Sequence, residues 1–181
     1  MKEFIYPEMM VHVPLCTSKD PKKVLMISEN ASRFAKEMLK YKGVKTKAIE
    51  PCLNAISALE DDLYDVVICE MDSDIKLLAQ IERISKEDAV LCITHPSLDE
   101  VDANKEMMKS LARYFKIIMP FNVGGNKTAL LASKEYHPTA DINLQRADML
   151  DDNGYYNCDI HIAAFAMGNY IRKEYLGIIK N

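Results

Sequence analysis

The order of apolar segments constrains the fold of this 181-residue chain more than any other feature of its sequence. Short apolar runs with β character cover residues 24–27, 45–49, 65–69 and 89–94. Segments with helical spacing cover residues 31–41, 53–59, 75–84 and 99–114. Strands that alternate with helices are joined by crossover connections and form a parallel sheet. Because the runs are continuously apolar, we expect helices on both faces of that sheet.

The alternation stops after residue 114. The sequence KIIMPFNVGGNKTALLASK contains two apolar runs separated by Gly124-Gly125-Asn126, which predicts a β-hairpin. We therefore expect an α/β fold with a Rossmann-like, mostly parallel sheet and an antiparallel hairpin at its edge. The sequence CDIHIAAFAMGNYIRKEY, residues 158–175, predicts one closing helix.

Length and composition indicate the number of domains and argue against some classes of partner. The length fits one hydrophobic core, so we expect a single domain over residues 1–181. A net charge of -4, without basic clusters, argues against a nucleic-acid partner. The apolar runs are too short to span a bilayer and the N-terminus resembles no signal peptide, so we expect a cytoplasmic protein without a membrane partner.

Two pairs of residues share a spacing that zinc ligands use, namely Cys92 with His95 and Cys158 with His161. Residues three apart on an extended strand point to opposite faces, so Cys92 and His95 converge only where a turn begins at Thr94. We predict no metal site.

The turn after the first strand, Ser28-Glu29-Asn30, contains no glycine. A strand, turn and helix in this order open nucleotide-binding α/β domains, where glycines let the backbone approach the ligand. Ser28 and Glu29 are therefore candidates for contact with a nucleoside. In the alternative interpretation, Asn30 takes a left-handed conformation, and Ser28 or Asn30 caps the helix without any ligand.

Three sequence blocks resemble the polyamine aminopropyltransferases, the spermidine synthase family. They are FIYPEMMVHVPLC with DPKKVLMI, then YDVVICEMDS with SKEDAVLC, and finally GYYNCDIHIAAFAMGNYIRK. The resemblance implies a methyltransferase-like sheet and transfer of an aminopropyl group to putrescine or a related amine. It also implies decarboxylated S-adenosylmethionine as co-substrate, without a permanently bound cofactor, and a homodimer.

The resemblance implies roles for carboxylates at the ends of two strands. Glu50 is the candidate for the ribose hydroxyls, as at the acidic position of doubly wound folds. In an alternative alignment the sequence VKTKAIE matches a later strand of the family, which removes that role from Glu50. The catalytic Asp-Ser pair of the family aligns with Glu70 or, if two residues slip, with Asp72. A strand end with a helix cap at Asp72 or Ser73 is the structural alternative.

Residues near both termini complete the implied site. Tyr6 and Tyr156 match tyrosines of the family that line the diamine channel. Glu8 is a substrate-binding candidate, or else a surface residue near the N-terminus. Pro7 replaces a histidine or glutamine of the family.

Parts of the family pattern are missing. The segment between Glu50 and Tyr64 is too short for a second crossover unit, and the small β-rich domain that precedes Tyr6 in the family is expected to be absent. Two hypotheses follow. The chain is an aminopropyltransferase with a rebuilt site, or a non-catalytic relative that binds a polyamine or a partner on the same scaffold.

Overall fold

A six-stranded sheet organises the computed structural model, which describes residues 2–71, 75–150 and 152–181. The strands are β1 (Lys23–Ile27), β2 (Lys45–Ile49), β3 (Tyr64–Cys69), β4 (Ser85–Thr94), β5 (Ile117–Asn122) and β6 (Thr128–Ser133). Their order in the sheet is β2-β1-β3-β4-β6-β5. The pairs among β1, β2, β3 and β4 are parallel, whereas β6 runs antiparallel to both β4 and β5. The mostly parallel sheet and its edge hairpin are confirmed.

Helices connect the strands and cover both faces of the sheet. They are α1 (Ile5–Thr17), α2 (Ala35–Met38), α3 (Leu53–Ser57), α4 (Ile75–Ile84), α5 (Val101–Leu111), α6 (Leu144–Asp148), α7 (Cys158–Ala163) and α8 (Asn169–Glu174). Val66 and Val90 face a core formed with α1, α2 and α6. Val67 and Leu91 face the opposite core, formed with α3, α4, α5 and α8. Such burial on both faces explains the continuously apolar strands.

Helix α1 lies over the centre of the sheet. Its residues 8–17 are all buried, and Cys92 of β4 contacts Met10 through their sulfur atoms at 3.6 Å. A helix that is apolar around most of its circumference is typical of such a buried position. This helix closes one face of the sheet and brings Tyr6, in its first turn, to the ends of the strands.

Two predicted helices are wrong in their extent. The helix expected over residues 31–41 is a 3-10 helix, Ala31–Phe34, followed by the four-residue α2. The single closing helix is divided into α7 and α8. The Ala164 carbonyl accepts a hydrogen bond from the Asn122 N–H at 2.8 Å, and the Phe165 and Phe121 rings pack at 5.3 Å. These contacts with β5 hold the chain where a longer helix would continue.

Strand β2 forms the exposed edge of the sheet. Residues 45–48 are exposed on both faces of the sheet. The connection from β2 to β3 contains one short helix, the five-residue α3. The loss of a crossover unit relative to the family stays a prediction. Lys45 and Lys47 place charge along the edge, which discourages pairing with other strands.

Candidate functional site

The carboxyl ends of β1, β2 and β3 bring three predicted residues to one end of the sheet. Ser28, Glu50 and Glu70 each follow the last residue of one of these strands. The Ser28 N–H donates to the Ile49 carbonyl at 3.2 Å, and the Glu70 N–H donates to the Ile27 carbonyl at 2.8 Å. Because β1 lies between β2 and β3, the order of the strands reverses here. Open α/β sheets bind ligands at such a switch point.

Glu70 is the centre of a polar cluster at this end. The Tyr6 hydroxyl donates to Glu70 Oε1 at 2.6 Å, and the Ser28 hydroxyl donates to Oε2 at 2.6 Å. The Arg33 guanidinium forms an ion pair with Oε1. We call Tyr6, Ser28, Arg33 and Glu70 the Glu70 cluster. The Glu70 side chain is 10% exposed, so it is mostly covered by its partners and keeps a small part open to solvent.

Arg33 is the member of the Glu70 cluster that sequence reasoning missed. It lies in the 3-10 helix that follows the glycine-free turn, so its place near the strand ends follows from the strand–turn–helix order. The direction of its side chain could not be inferred from that order, because it depends on the unexpected 3-10 geometry.

Tyr6 lies between the solvent and the core. Burial raises the pKa of Tyr6 to about 12, reinforced by Cys92, while the positive charge of Arg33 acts in the opposite direction. The phenol therefore stays protonated at neutral pH and serves as a donor to Glu70. Its ring packs near Phe34, with 6.4 Å between the ring centroids.

The glycine-free turn holds its shape through side chains. The Asn30 N–H donates to Ser28 Oγ at 3.0 Å, and Asn30 Oδ1 accepts from the Ser32 hydroxyl at 2.8 Å. Asn30 has φ -128°, so the predicted left-handed conformation is wrong, and its side chain makes no capping bond to the helix. Because the Ser28 hydroxyl oxygen accepts a hydrogen bond from the Asn30 N–H, the turn forms without a positive φ at Asn30. Glu29 and Glu50 are both exposed at this end of the sheet.

Glu8 is buried, with 1% of the residue exposed, so the alternative that it lies on the surface is wrong. Its carboxylate accepts hydrogen bonds from the backbone N–H groups of Gly154, Tyr155 and Tyr156 at 2.8–2.9 Å. These donors precede α7, and the N–H of the buried Tyr156 would otherwise be unsatisfied in the interior. Glu8 thus fixes the segment that carries the second predicted tyrosine.

The Tyr156 side chain points into the interior. Its hydroxyl lies 2.8 Å from His161 Nδ1, and His161 Nε2 lies 3.0 Å from the Pro138 carbonyl. Burial lowers the pKa of His161 to about 4, so the ring is neutral, donates to Pro138 and accepts from Tyr156. The role of Tyr156 in contact with a diamine stays a prediction, since its hydroxyl is already engaged with His161.

A second buried network joins α1 to α2. His12 Nε2 lies 3.0 Å from Glu37 Oε2, and Lys40 Nζ lies 2.8 Å from the same oxygen. Burial lowers the pKa of His12, which favours the neutral ring. For Glu37, burial acts to raise the pKa, but the hydrogen bonds from His12 and Lys40 prevail and lower it to about 2. This network supports the α1 helix behind Tyr6, and no sequence pattern predicted it.

Comparison with known proteins shows a similarity to one family. Residues 3–79 match the family model described as the spermine/spermidine synthase domain. The polyamine aminopropyltransferase of Helicobacter acinonychis (strain Sheeba) is 28% identical over 198 residues, which cover 92% of this chain and 75% of the relative. The chain is therefore similar to the spermidine synthase family.

Solved structures of spermidine synthases share the fold of this chain. The spermidine synthase from Thermotoga maritima superimposes with a TM-score of 0.80 at 22% identity, over 95% of this chain and 74% of the other. A spermidine synthase in complex with the transition state analogue AdoDATO gives a TM-score of 0.80 at 20% identity, over 95% and 75% of the two chains. The predicted methyltransferase-type, Rossmann-like sheet is confirmed.

The structure brings together part of the site that the resemblance to the spermidine synthases implies. Tyr6, Ser28 and Glu70 are in direct contact. Asp72, the alternative to Glu70 as catalytic carboxylate, and the predicted helix cap at Asp72 or Ser73 lie outside the described residues. Across residues 2–71, 75–150 and 152–181, no group of three or more His, Cys, Asp or Glu side chains could hold a metal ion. In the same ranges no helix is long and apolar enough to cross a membrane.

Proposed function

We propose that this chain is a member of the spermidine synthase family and that it transfers an aminopropyl group from decarboxylated S-adenosylmethionine to putrescine or a related amine. The observation that carries this proposal is the contact between Tyr6 and Glu70 at the switch point of the sheet. A carboxylate can accept the proton that the attacking amine loses, and an aromatic face beside it can hold a cationic amine.

Glu70 acts as the general base in this proposal. The lone pair of the amine nitrogen attacks the propyl carbon bonded to the sulfonium, and a new C–N bond forms. The C–S bond breaks and its electron pair stays on sulfur, which leaves the neutral thioether methylthioadenosine. The proton of the attacking amine passes to the Glu70 carboxylate and then to solvent. Tyr6 and Ser28 position that carboxylate through their 2.6 Å hydrogen bonds.

The nucleoside is proposed to bind across the ends of β1 and β2. Glu50 follows β2 and is exposed, and a carboxylate at this position of doubly wound folds accepts hydrogen bonds from ribose hydroxyls. Ser28 and Glu29 are part of the neighbouring turn, which follows β1. The complex of a related spermidine synthase with AdoDATO supports a nucleoside ligand for this fold. Glu8 acts through the backbone of residues 154–156, which positions Tyr156.

A second candidate is a non-catalytic relative that binds a polyamine or a partner without transfer. The ion pair between Arg33 and Glu70 favours it, because it neutralises the carboxylate that the reaction needs. The two candidates differ in whether product forms, not in where a ligand binds.

The transfer reaction is tested by incubating the protein with decarboxylated S-adenosylmethionine and putrescine, and by quantifying spermidine and methylthioadenosine by mass spectrometry. We expect equal amounts of both products, and a Glu70→Gln variant at least about 100-fold slower, as for loss of a general base. Glu106→Gln, an exposed change on α5, is the matched control. Putrescine binding without product selects the non-catalytic candidate.

We also propose that residues 1–181 form a single domain, that the protein acts as a homodimer and that it is cytoplasmic. Light scattering of the purified protein tests the dimer, which would appear at twice the mass of the 20.6 kDa chain. A monomeric mass at assay concentration contradicts it.

A further inference from the structure

Arg33 occupies a site built to hold a cation. Its guanidinium is paired with Glu70, and its Cζ lies 4.7 Å from the centroid of the Tyr6 ring. The same atom lies 5.1 Å from the centroid of the buried Phe34 ring. A carboxylate and aromatic faces are the groups that bind ammonium and guanidinium ions in proteins.

The position of Arg33 is easily vacated. Its side chain is 39% exposed and projects from the short 3-10 helix Ala31–Phe34. Because the guanidinium side of this pair is exposed to water, solvent screens part of its attraction to the carboxylate and can solvate the guanidinium when it leaves. The long, flexible stem of arginine allows the guanidinium to move into solvent without any change in the backbone.

Arg33 and a ligand amine compete for the same groups. Ser28 donates to Glu70 Oε2, while Tyr6 and Arg33 both use Oε1. An ammonium that approaches both the Tyr6 ring and Glu70 must therefore take the place of the guanidinium. When Arg33 leaves, the negative charge of Glu70 is free to match one ammonium group.

We propose that Arg33 is an internal cation that closes this site, and that an amine enters by displacing it. The proposal rests on the proposed function for the identity of the amine as a substrate. When only a fraction of the protein is in the state that binds a ligand, the apparent affinity for that ligand is reduced in proportion to that fraction. Arg33 therefore raises the Kd and the KM for the amine, and proton transfer to Glu70 begins only after it has moved.

The test compares putrescine binding by isothermal titration calorimetry in the wild type and in Arg33→Gln. We expect Arg33→Gln to bind putrescine at least about tenfold more tightly, which corresponds to a closed fraction of about nine-tenths. Arg113→Gln is the matched control, because Arg113 is exposed just after α5 and loses the same charge. We expect it to bind putrescine as the wild type does.

A second variant tests the identity of the vacated site. In Arg33→Ala, added methylguanidinium should occupy the position of the lost side chain and compete with putrescine. In the wild type, the same concentration should change putrescine binding by less than about twofold. Circular dichroism confirms that each variant is folded, and Arg33→Ala replaces Arg33→Gln in the titration if the glutamine variant is not.

The outcomes separate this proposal from the proposed function. Equal putrescine affinity in the wild type and Arg33→Gln overturns the role of Arg33, whether or not product forms. Tighter binding in Arg33→Gln without any product supports the role of Arg33 and overturns the transfer reaction. If neither protein binds putrescine at millimolar concentration, both proposals are overturned.

Discussion

Tyr6 and Glu70 are 64 positions apart in the chain, yet the tyrosine hydroxyl donates to the glutamate carboxylate at 2.6 Å. The contact joins the first turn of α1 to the end of β3, so the packing of a buried helix determines the geometry of a strand-end carboxylate.

Tyr6→Phe should lower kcat by about tenfold and change the KM for the amine by less than about threefold. The variant keeps the ring that faces a cation but loses a hydrogen bond to a charged group, which contributes about 1.5–3 kcal/mol. Tyr6→Ala removes both and should raise KM as well. Steady-state kinetics with varied putrescine measures the two parameters, and full kcat in Tyr6→Phe contradicts a positioning role for the hydroxyl.

Glu8→Gln should lower the free energy of unfolding by about 2 kcal/mol, because the amide cannot accept as many hydrogen bonds as the carboxylate does from residues 154–156. Urea unfolding followed by circular dichroism measures the change. Glu3→Gln, at an exposed position of the same segment, is the control and should stay within about 0.5 kcal/mol of the wild type. Equal stability of the two variants would mean that the buried carboxylate is replaceable.

The protein should lose stability as the pH falls from about 6.5 towards about 4. Burial lowers the pKa of His161 from 6.5 to about 4, so the unfolded state binds more protons in this window. The contribution of the neutral His161 to the free energy of unfolding is complete above pH 6.5 and is lost on acidification. The free energy of unfolding then falls by up to about 1.4 kcal/mol per pH unit. Because the pKa of His12 is also lowered by burial, it acts in the same direction.

His161→Gln isolates the contribution of one histidine. Denaturant unfolding at several pH values should show a shallower loss of stability in the variant than in the wild type between pH 6.5 and 4. Identical pH slopes in the two proteins would contradict a neutral, buried His161.

Glu50→Gln should weaken methylthioadenosine binding by about tenfold, since an amide replaces a carboxylate that accepts hydrogen bonds from two ribose hydroxyls. Glu60→Gln, also exposed but before β3, should bind the nucleoside as the wild type does. Calorimetric titration of both variants measures this effect. Unchanged affinity in Glu50→Gln would favour the alternative alignment, in which Glu50 has no role on ribose.

The sheet was predictable because its cause is local. The apolar runs give β2 at Lys45–Ile49 and α4 at Ile75–Ile84 with the predicted bounds, and parallel strands necessarily bring Ser28 and Glu70 to one edge. The division of the closing helix depends on packing between Phe165 and Phe121, which the helical spacing does not encode.

The site was predictable in part for the same reason. Resemblance to the family supplied Tyr6, but its bond to Glu70 depends on how the buried α1 helix crosses the sheet. The contacts of Glu8 join positions almost at opposite ends of the chain. The position of the Arg33 side chain depends on the 3-10 helix, which forms where the helical spacing predicted a regular α-helix.

Calorimetric titration of the wild-type protein with methylthioadenosine, in the presence of putrescine, tests most directly whether this glycine-free turn serves an aminopropyltransferase. The nucleoside must fit beside Ser28, Glu29 and Glu50 for any transfer to occur at Glu70. We predict a micromolar Kd that becomes weaker when Glu50 is replaced by glutamine. Absence of heat at millimolar nucleoside would contradict the proposed function.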